Sequence, residues 1–384
     1  MLIASIMLYY LLYERLFPII SPFRVFGYIT FRTAFASLTA LGICLILGPW
    51  LIRRLREFQI GQIVREDGPS SHQAKSGTPT MGGLLINISI LIPTLLWADL
   101  RNIYVWIAIF GLSSFGLVGF VDDYRKLRRK ENLGLTGRSK LTLQIVISLV
   151  IGIMLLLLQA RGLYSTRMNV PFVKFFTPDL LIHSLLGSPY AYPLAFSFFF
   201  LFLVLVLVGC SNAVNLTDGL DGLAIGLTVI AAGALTVLTY AAGHRQFATY
   251  LEIQRVPQAG DLTIFCGSMV GASLGFLWYN AHPAEIFMGD VGSLALGGAL
   301  GTVAVLVKQE ILLLFIGGVF VIEALSVILQ VASFKFRGGR RLFKMAPLHH
   351  HFEAIGWQES KVIARFWIAG FILALFALAT LKLR

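Results

Sequence analysis

Ten apolar runs of roughly twenty residues recur along this chain, at about 30–50, 81–97, 103–121, 141–160, 194–211, 223–242, 262–280, 291–307, 311–333 and 363–381. A helix needs about 20 such residues to cross the hydrocarbon core of a bilayer, where only helices and closed barrels satisfy their own backbone. The runs therefore predict an all-α polytopic membrane protein of about ten transmembrane helices, forming one domain over residues 1–384. Composition agrees: 57% of residues are hydrophobic and 13% charged, where a soluble chain carries about a quarter charged. Residues 1–13 lack a basic leading segment and are too short to span, so 1–28 is expected to be an interfacial segment and not a cleaved signal.

The net charge of +12 points to orientation and anionic partners at a membrane surface, and not to nucleic acid. Span parity puts junctions 51–80, 122–140, 212–222, 281–290 and 334–362 on one side. Counting Arg365, they hold 5, 7, 0, 0 and 7 Lys or Arg, 19 of the 31 in the chain. That excess assigns this side to the cytoplasm and both termini to the outside. The three cysteines, Cys44, Cys210 and Cys266, sit in or beside apolar runs at unrelated spacing, which implies neither disulfides nor a metal knot.

Charge within those junctions is unevenly placed. Junctions 212–222 and 281–290 carry no basic residue but four acids, Asp218, Asp221, Glu285 and Asp290, whereas 122–140 opens on Asp122 and Asp123 and runs into Arg125, Lys126, Arg128, Arg129 and Lys130. One membrane face thus offers carboxylates beside cations, a combination suited to a divalent metal and a phosphorylated substrate. In 212–224, Asn212, Asn215, Asp218 and Asp221 recur every three residues, with Gly219 and Gly222 allowing a turn or close ligand approach. A polar turn between two membrane helices is the plainer alternative.

Asp122 and Asp123 are expected at the end of the third span, where the helix dipole disfavours carboxylates. Either the end is simply solvated, or the acids hold a metal or a proton while Lys126 and Lys130 reach a phosphate. Asp290, between Gly289 and Gly292, is either an N-cap or a Mg²⁺ ligand, and Phe287 offers a face for a base. Lys75 and Thr80 belong to a Gly- and Thr-rich approach to the second span, which can present N–H groups to an anion. His349, His350 and His351 splay at about 100° steps on a helix, so they suit hydrogen bonding to a polar substrate better than one metal. Glu323, Ser326, Gln330 and Ser333 share a face of the ninth span and serve either as interhelical glue or as a groove wall.

In combination the motifs GTPTMGG (77–83), VDDYRK (121–126), NAVNLTDGLDGLA (212–224), FMGDVGS (287–293) and APLHHHFE (346–353) resemble the phospho-N-acetylmuramoyl-pentapeptide transferases. The resemblance runs from about Tyr28 to Arg384. It implies transfer of a phosphosugar from UDP-N-acetylmuramoyl-pentapeptide (UDP-MurNAc-pentapeptide) to undecaprenyl phosphate with Mg²⁺, releasing UMP. It implies Asp290 as the magnesium ligand, Asp122 and Asp123 beside the lipid phosphate, and Asn215, Asp218 and Asp221 on the nucleotide-sugar side with Asn212 in the same motif. Lys75, Lys126, Lys130 and Phe287 would contact phosphate and uridine, and His349–His351 the sugar-peptide end. A homodimer within the membrane lipid is also implied. Two rivals are a sister transferase of N-acetylglucosamine-1-phosphate, which APLHHHFE disfavours, and an ion-coupled transporter, which would need its acids at mid-span.

Overall fold

The computed structural model describes residues 8–57, 77–129, 134–173, 176–182 and 191–382. Each expected span meets a helix: α1 Ile29–Glu57, α2 Gly83–Trp97, α3 Ile103–Arg129, α4 Gly137–Ala160, α5 Tyr192–Thr217, α6 Leu223–Gly243, α7 Ala259–Asn280, α8 Gly289–Leu306 and α9 Gly318–Phe336, then, after the short α10 Leu348–Ala354, α11 Glu359–Ala379. Among the described residues there is no strand, only an isolated bridge between Arg167 and Asp179. Nine of the helices are long and apolar enough to cross a membrane; α2, with 15 residues, is shorter, about 22 Å at 1.5 Å per residue. The expected ninth span is broken near its start, where Leu313–Ile316 ends at Gly317 before α9 begins.

Helices α8 and α7 are the most deeply buried, and their small residues explain why. Along α7, Gly267 and Gly271 lie against Thr33 and Ser37 of α1, and Gly275 lies against Cys44. Such small-residue seams let backbones approach closely where no hydrophobic effect drives helices together. The outer helices instead turn apolar stripes outward: Leu194, Phe198, Leu201 and Leu205 of α5 are all exposed, at spacings of four, three and four. In water that surface would be a liability; in a bilayer it is the lipid contact.

Two crossings set up the polar end of the bundle. A side chain on Gly83 would collide with the backbone at Gly292, and one on Gly119 with the backbone at Asp290. Glycine at these two positions thus lets α2 and α3 close onto the first turn of α8. Asp122 and Asp123 follow Gly119 by one helical turn and are delivered to Asp290 by that crossing. They are not at a helix end, as expected from the sequence, because α3 continues to Arg129.

Candidate functional site

The five junctions expected on one side converge, as far as they are described. Loop 79–82 is zipped to 287–288 by Phe287 N to Pro79 O (2.8 Å), Gly82 N to Phe287 O (2.9 Å) and Gly83 N to Met288 O (2.8 Å). Gly289 follows at φ 70°, and a Cβ there would lie 2.6 Å from Asp123 Oδ2 and 3.0 Å from Thr80 Oγ1. Glycine is required by both the angle and the space. Thr80 is thereby held beside the carboxylates.

Asp122, Asp123 and Asp290 place oxygens within 4.8 Å of one another. Lys126 Nζ lies 2.6 Å from Asp122 Oδ2, 3.4 Å from Asp123 Oδ1 and 3.2 Å from Asp290 Oδ2. Lys140 Nζ, from the first turn of α4, lies 2.8 Å from Asp290 Oδ2. Asn215 donates to Asp290 Oδ1 and to Ser293 Oγ, both at 2.8 Å. Backbone donors orient the remaining oxygens: Leu135 N to Asp122 Oδ1 (2.8 Å) and Val291 N to Asp123 Oδ2 (3.1 Å). Three carboxylates against two ammoniums leave one negative charge in a confined space, which an added cation would offset. The three acids could hold a metal ion, and an oxygen-only donor set fits a hard divalent one.

The acids of 212–222 divide. Asp218 ends α5 half-buried. Burial, reinforced by the nearby carboxylates of Asp290, Asp123 and Asp221, pushes its carboxyl up to about 8. Asp221 is buried and belongs to a second group, with His282 Nδ1 3.2 Å from its Oδ2 and 3.6 Å from Glu359 Oε2. Ala284 N donates to Asp221 Oδ2 (3.1 Å) and Asp221 N to Glu359 Oε1 (3.1 Å), so the turn, the 281–286 loop and the start of α11 are clasped together. Asn212 donates to Gln144 Oε1 at 2.7 Å and to Val208 O, which engages its amide with α4.

The histidines splay as helical geometry demands. His349 is fully buried, its backbone N–H donating to Glu323 Oε1 (3.1 Å) and its Nδ1 lying 3.1 Å from Glu323 Oε2. Its Nε2 has no hydrogen-bond partner and faces Gly219, where a Cβ would collide with it and lie 3.3 Å from His350 Nε2. His350 Nδ1 lies 2.7 Å from Glu353 Oε2. His351 turns away, its Nδ1 accepting from Lys344 N (3.2 Å). Two of the three histidines therefore meet the 218–222 turn. The polar stripe of α9 ties that helix to the segment after it: besides Glu323, Gln330 bonds the backbone of Leu342 and Phe343, and Ser333 donates to Arg340 O. Phe287 is half-buried at the zipped loop. Lys75 and Lys130 lie outside the described residues.

Sequence reasoning missed Lys140, His282 and Glu359. Lys140 did carry a signal, since a cation in the first turn of a helix opposes the dipole as an acid does at its end. His282 and Glu359 carried none that periodicity could reveal.

The chain matches the family model described as glycosyl transferase family 4 over residues 105–308, which runs from α3 through α8. Residues 75–86, which contain Thr80 and Gly83, match the phospho-N-acetylmuramoyl-pentapeptide-transferase signature 1. A phospho-N-acetylmuramoyl-pentapeptide-transferase of Solibacter usitatus (strain Ellin6076) is 68% identical over 378 residues, covering 98% of this chain and 100% of that protein. The chain belongs to the phospho-N-acetylmuramoyl-pentapeptide-transferase family. Members of the same name from Koribacter versatilis (strain Ellin345) and Acidobacterium capsulatum are 65% and 66% identical, each over 98% of this chain and 100% of the relative. Family membership makes the chain a transferase and favours that reading over a transporter. The family model ends at Lys308, so His349, His350 and Glu359 join the site from beyond it.

Proposed function

We propose that this chain transfers phospho-N-acetylmuramoyl-pentapeptide from UDP-MurNAc-pentapeptide to undecaprenyl phosphate, forming undecaprenyl-pyrophosphoryl-MurNAc-pentapeptide (lipid I) and UMP for peptidoglycan synthesis. The observation that carries this reading is the meeting of Asp122, Asp123 and Asp290 with Lys126 and Lys140 at one end of a membrane bundle. There a soluble and an embedded anionic substrate can be brought together. The excess of Lys and Arg in the junctions on that side supports a cytoplasmic position for that end in a bacterial inner membrane, with both termini outside. Assembly as a homodimer is part of the same reading.

The chemistry is a single displacement. An oxygen of the lipid phosphate attacks the β-phosphorus of the UDP-sugar, the bond to the UMP oxygen breaks, and UMP leaves in line. A phosphate monoester has a second pKa near 6, so at pH 7 most of the nucleophile is already the dianion. Positioning and charge neutralisation are what the protein must supply. Lys126 and Lys140 neutralise charge at the reacting phosphates; the family resemblance alone assigns Lys75 and Lys130 to the same task. Asp122, oriented by Leu135 N, orients the lipid phosphate or takes its residual proton. Asp123, fixed by Val291 N, lies beside it. Asn215, Asp218 and Asp221, with Asn212 and Thr80, line the nucleotide-sugar side. Phe287 stacks on uracil, and His349 and His350 face the sugar-peptide, with His351 turned to Lys344 behind them. Mg²⁺ bound at Asp290 would supply further neutralisation of the pyrophosphate oxygens.

The test is turnover by purified protein in detergent with undecaprenyl phosphate, Mg²⁺ and one UDP-sugar at a time. Lipid-linked product is expected with UDP-MurNAc-pentapeptide. Product from UDP-N-acetylglucosamine in its place would overturn the assignment in favour of the sister transferase.

A further inference from the structure

The opposite end of the bundle holds a cavity of about 190 Å³. It is lined from the start of α3 (Tyr104), the loop after α4 (162–165), the approach to α7 (254–258) and the end of α8 (Leu306 and Lys308). Tyr104 precedes Asp122 by eighteen residues of one helix, about 27 Å along its axis. This cavity is therefore separate from the carboxylate site, and the transfer chemistry makes no use of it.

Its chemistry is one-sided. Lys308 is 1% exposed and donates to Glu310 Oε1 at 2.7 Å and to Tyr164 Oη at 3.0 Å. An ammonium has three donors, so one N–H remains. Arg255 is exposed and has no hydrogen-bond or ion-pair partner among the described residues. The Ser165 hydroxyl accepts from Arg167 N and keeps its own hydrogen to donate. No carboxylate lines the cavity. Glu310 cancels the charge of Lys308, which leaves Arg255 as the net positive charge, with one Lys308 N–H and the Ser165 hydroxyl as further uncommitted donors. Lys308 also holds φ 61°, a conformation costly for a residue with a side chain and sustained here by its two buried bonds.

The geometry points to a phosphate-binding site in this cavity, taking the phosphate of a phospholipid headgroup or a free phosphate ion. A guanidinium at the mouth and donors within suit the non-bridging oxygens of a phosphate, which Arg can pair in bidentate fashion. The position at helix ends is the depth of lipid headgroups, and exposed Leu163 on the rim is placed to meet an acyl chain.

The experiment measures thermal unfolding of the full-length protein in detergent against inorganic phosphate, short-chain phosphatidylglycerol and a diacylglycerol of the same chain length, which has no phosphate. The carboxylate–lysine site also attracts phosphate, so the readout is the difference between wild type and Arg255→Gln. Phosphatidylglycerol is expected to stabilise the wild type, and Arg255→Gln to weaken that binding roughly tenfold, the worth of one charge-assisted contact, with transferase turnover unchanged. The paired variant Lys308→Met with Glu310→Gln, which avoids stranding a buried carboxylate, is expected to lose the effect as well. Equal protection by inorganic phosphate assigns the site to the free ion, and protection by phosphatidylglycerol alone assigns it to a headgroup. Equal binding of the diacylglycerol, or identical titrations for wild type and Arg255→Gln, overturns the proposal.

Discussion

Asn215 Nδ2 lies 2.8 Å from Asp290 Oδ1, across 75 residues of sequence. The amide links the two junctions that carry acids and no bases. It occupies one carboxylate oxygen of Asp290 and leaves the other to Lys126 and Lys140. Asp290 of α8 is thus the point at which α3 and α4 are held by charge and α5 by a hydrogen bond.

Replacing Asp290 with Asn keeps volume and a carbonyl oxygen but removes the charge that attracts a cation. Turnover is expected to fall by several orders of magnitude while the protein still extracts as a folded species. Titration of activity with Mg²⁺ and size-exclusion chromatography check both parts. Near-normal activity at ordinary Mg²⁺ would move the metal to the side of Asp218 and Asp221.

Lys140→Met removes the cation nearest Asp290 and leaves α4 intact beyond its first turn. Loss of one positioned electrostatic group of this kind costs about 10² to 10³ in kcat, with smaller change in KM. Steady-state kinetics decide it; an unchanged kcat would make Lys140 a structural counter-ion.

Burial, with the neighbouring carboxylates, favours the neutral form of Asp218 and pushes its carboxyl up to about 8. Its folded pKa lies above the unfolded 3.8, so between those values the folded state binds the extra proton. Stability from this group therefore falls as pH rises from about 4 to 8. Asp218→Asn removes that slope. Melting curves in chelator from pH 5 to 8.5 should show the variant gaining on wild type as pH rises, and parallel curves would contradict the burial-driven shift.

Glu323 holds His349 by both backbone and ring. Glu323→Ala should misplace α10 and reproduce the effect of His349→Ala, raising the KM for the UDP-sugar roughly tenfold, as for loss of one buried hydrogen bond of about 1–3 kcal/mol. The KM for lipid phosphate should move less. Equal losses for both substrates would indicate a general folding defect.

A single displacement forbids partial exchange. With lipid phosphate rigorously removed, radiolabelled UMP should not enter UDP-MurNAc-pentapeptide. Exchange at a rate near turnover would require a covalent acyl phosphate on an Asp and would sink the direct attack.

The apolar runs determined the helices, because a bilayer leaves the backbone no other partner. Parity along those runs correctly grouped the junctions that meet, and the acids and glycines within them carried the chemistry of the site. Local pattern did not determine which of these groups touch. Asp122 and Asp123 lie inside α3 and not at its end, and they reach Asp290 because Gly119 lets two backbones cross there. Lys140, 150 residues before Asp290, joins them through the packing of α4. Asp221 shares a motif with Asp218 yet is turned to His282 and Glu359, and His351 shares one with His349 yet faces Lys344. Periodicity reports how a residue sits on its own helix. Contacts between helices are set by where small side chains permit close approach, and that is a property of the pair, which only the tertiary structure decides.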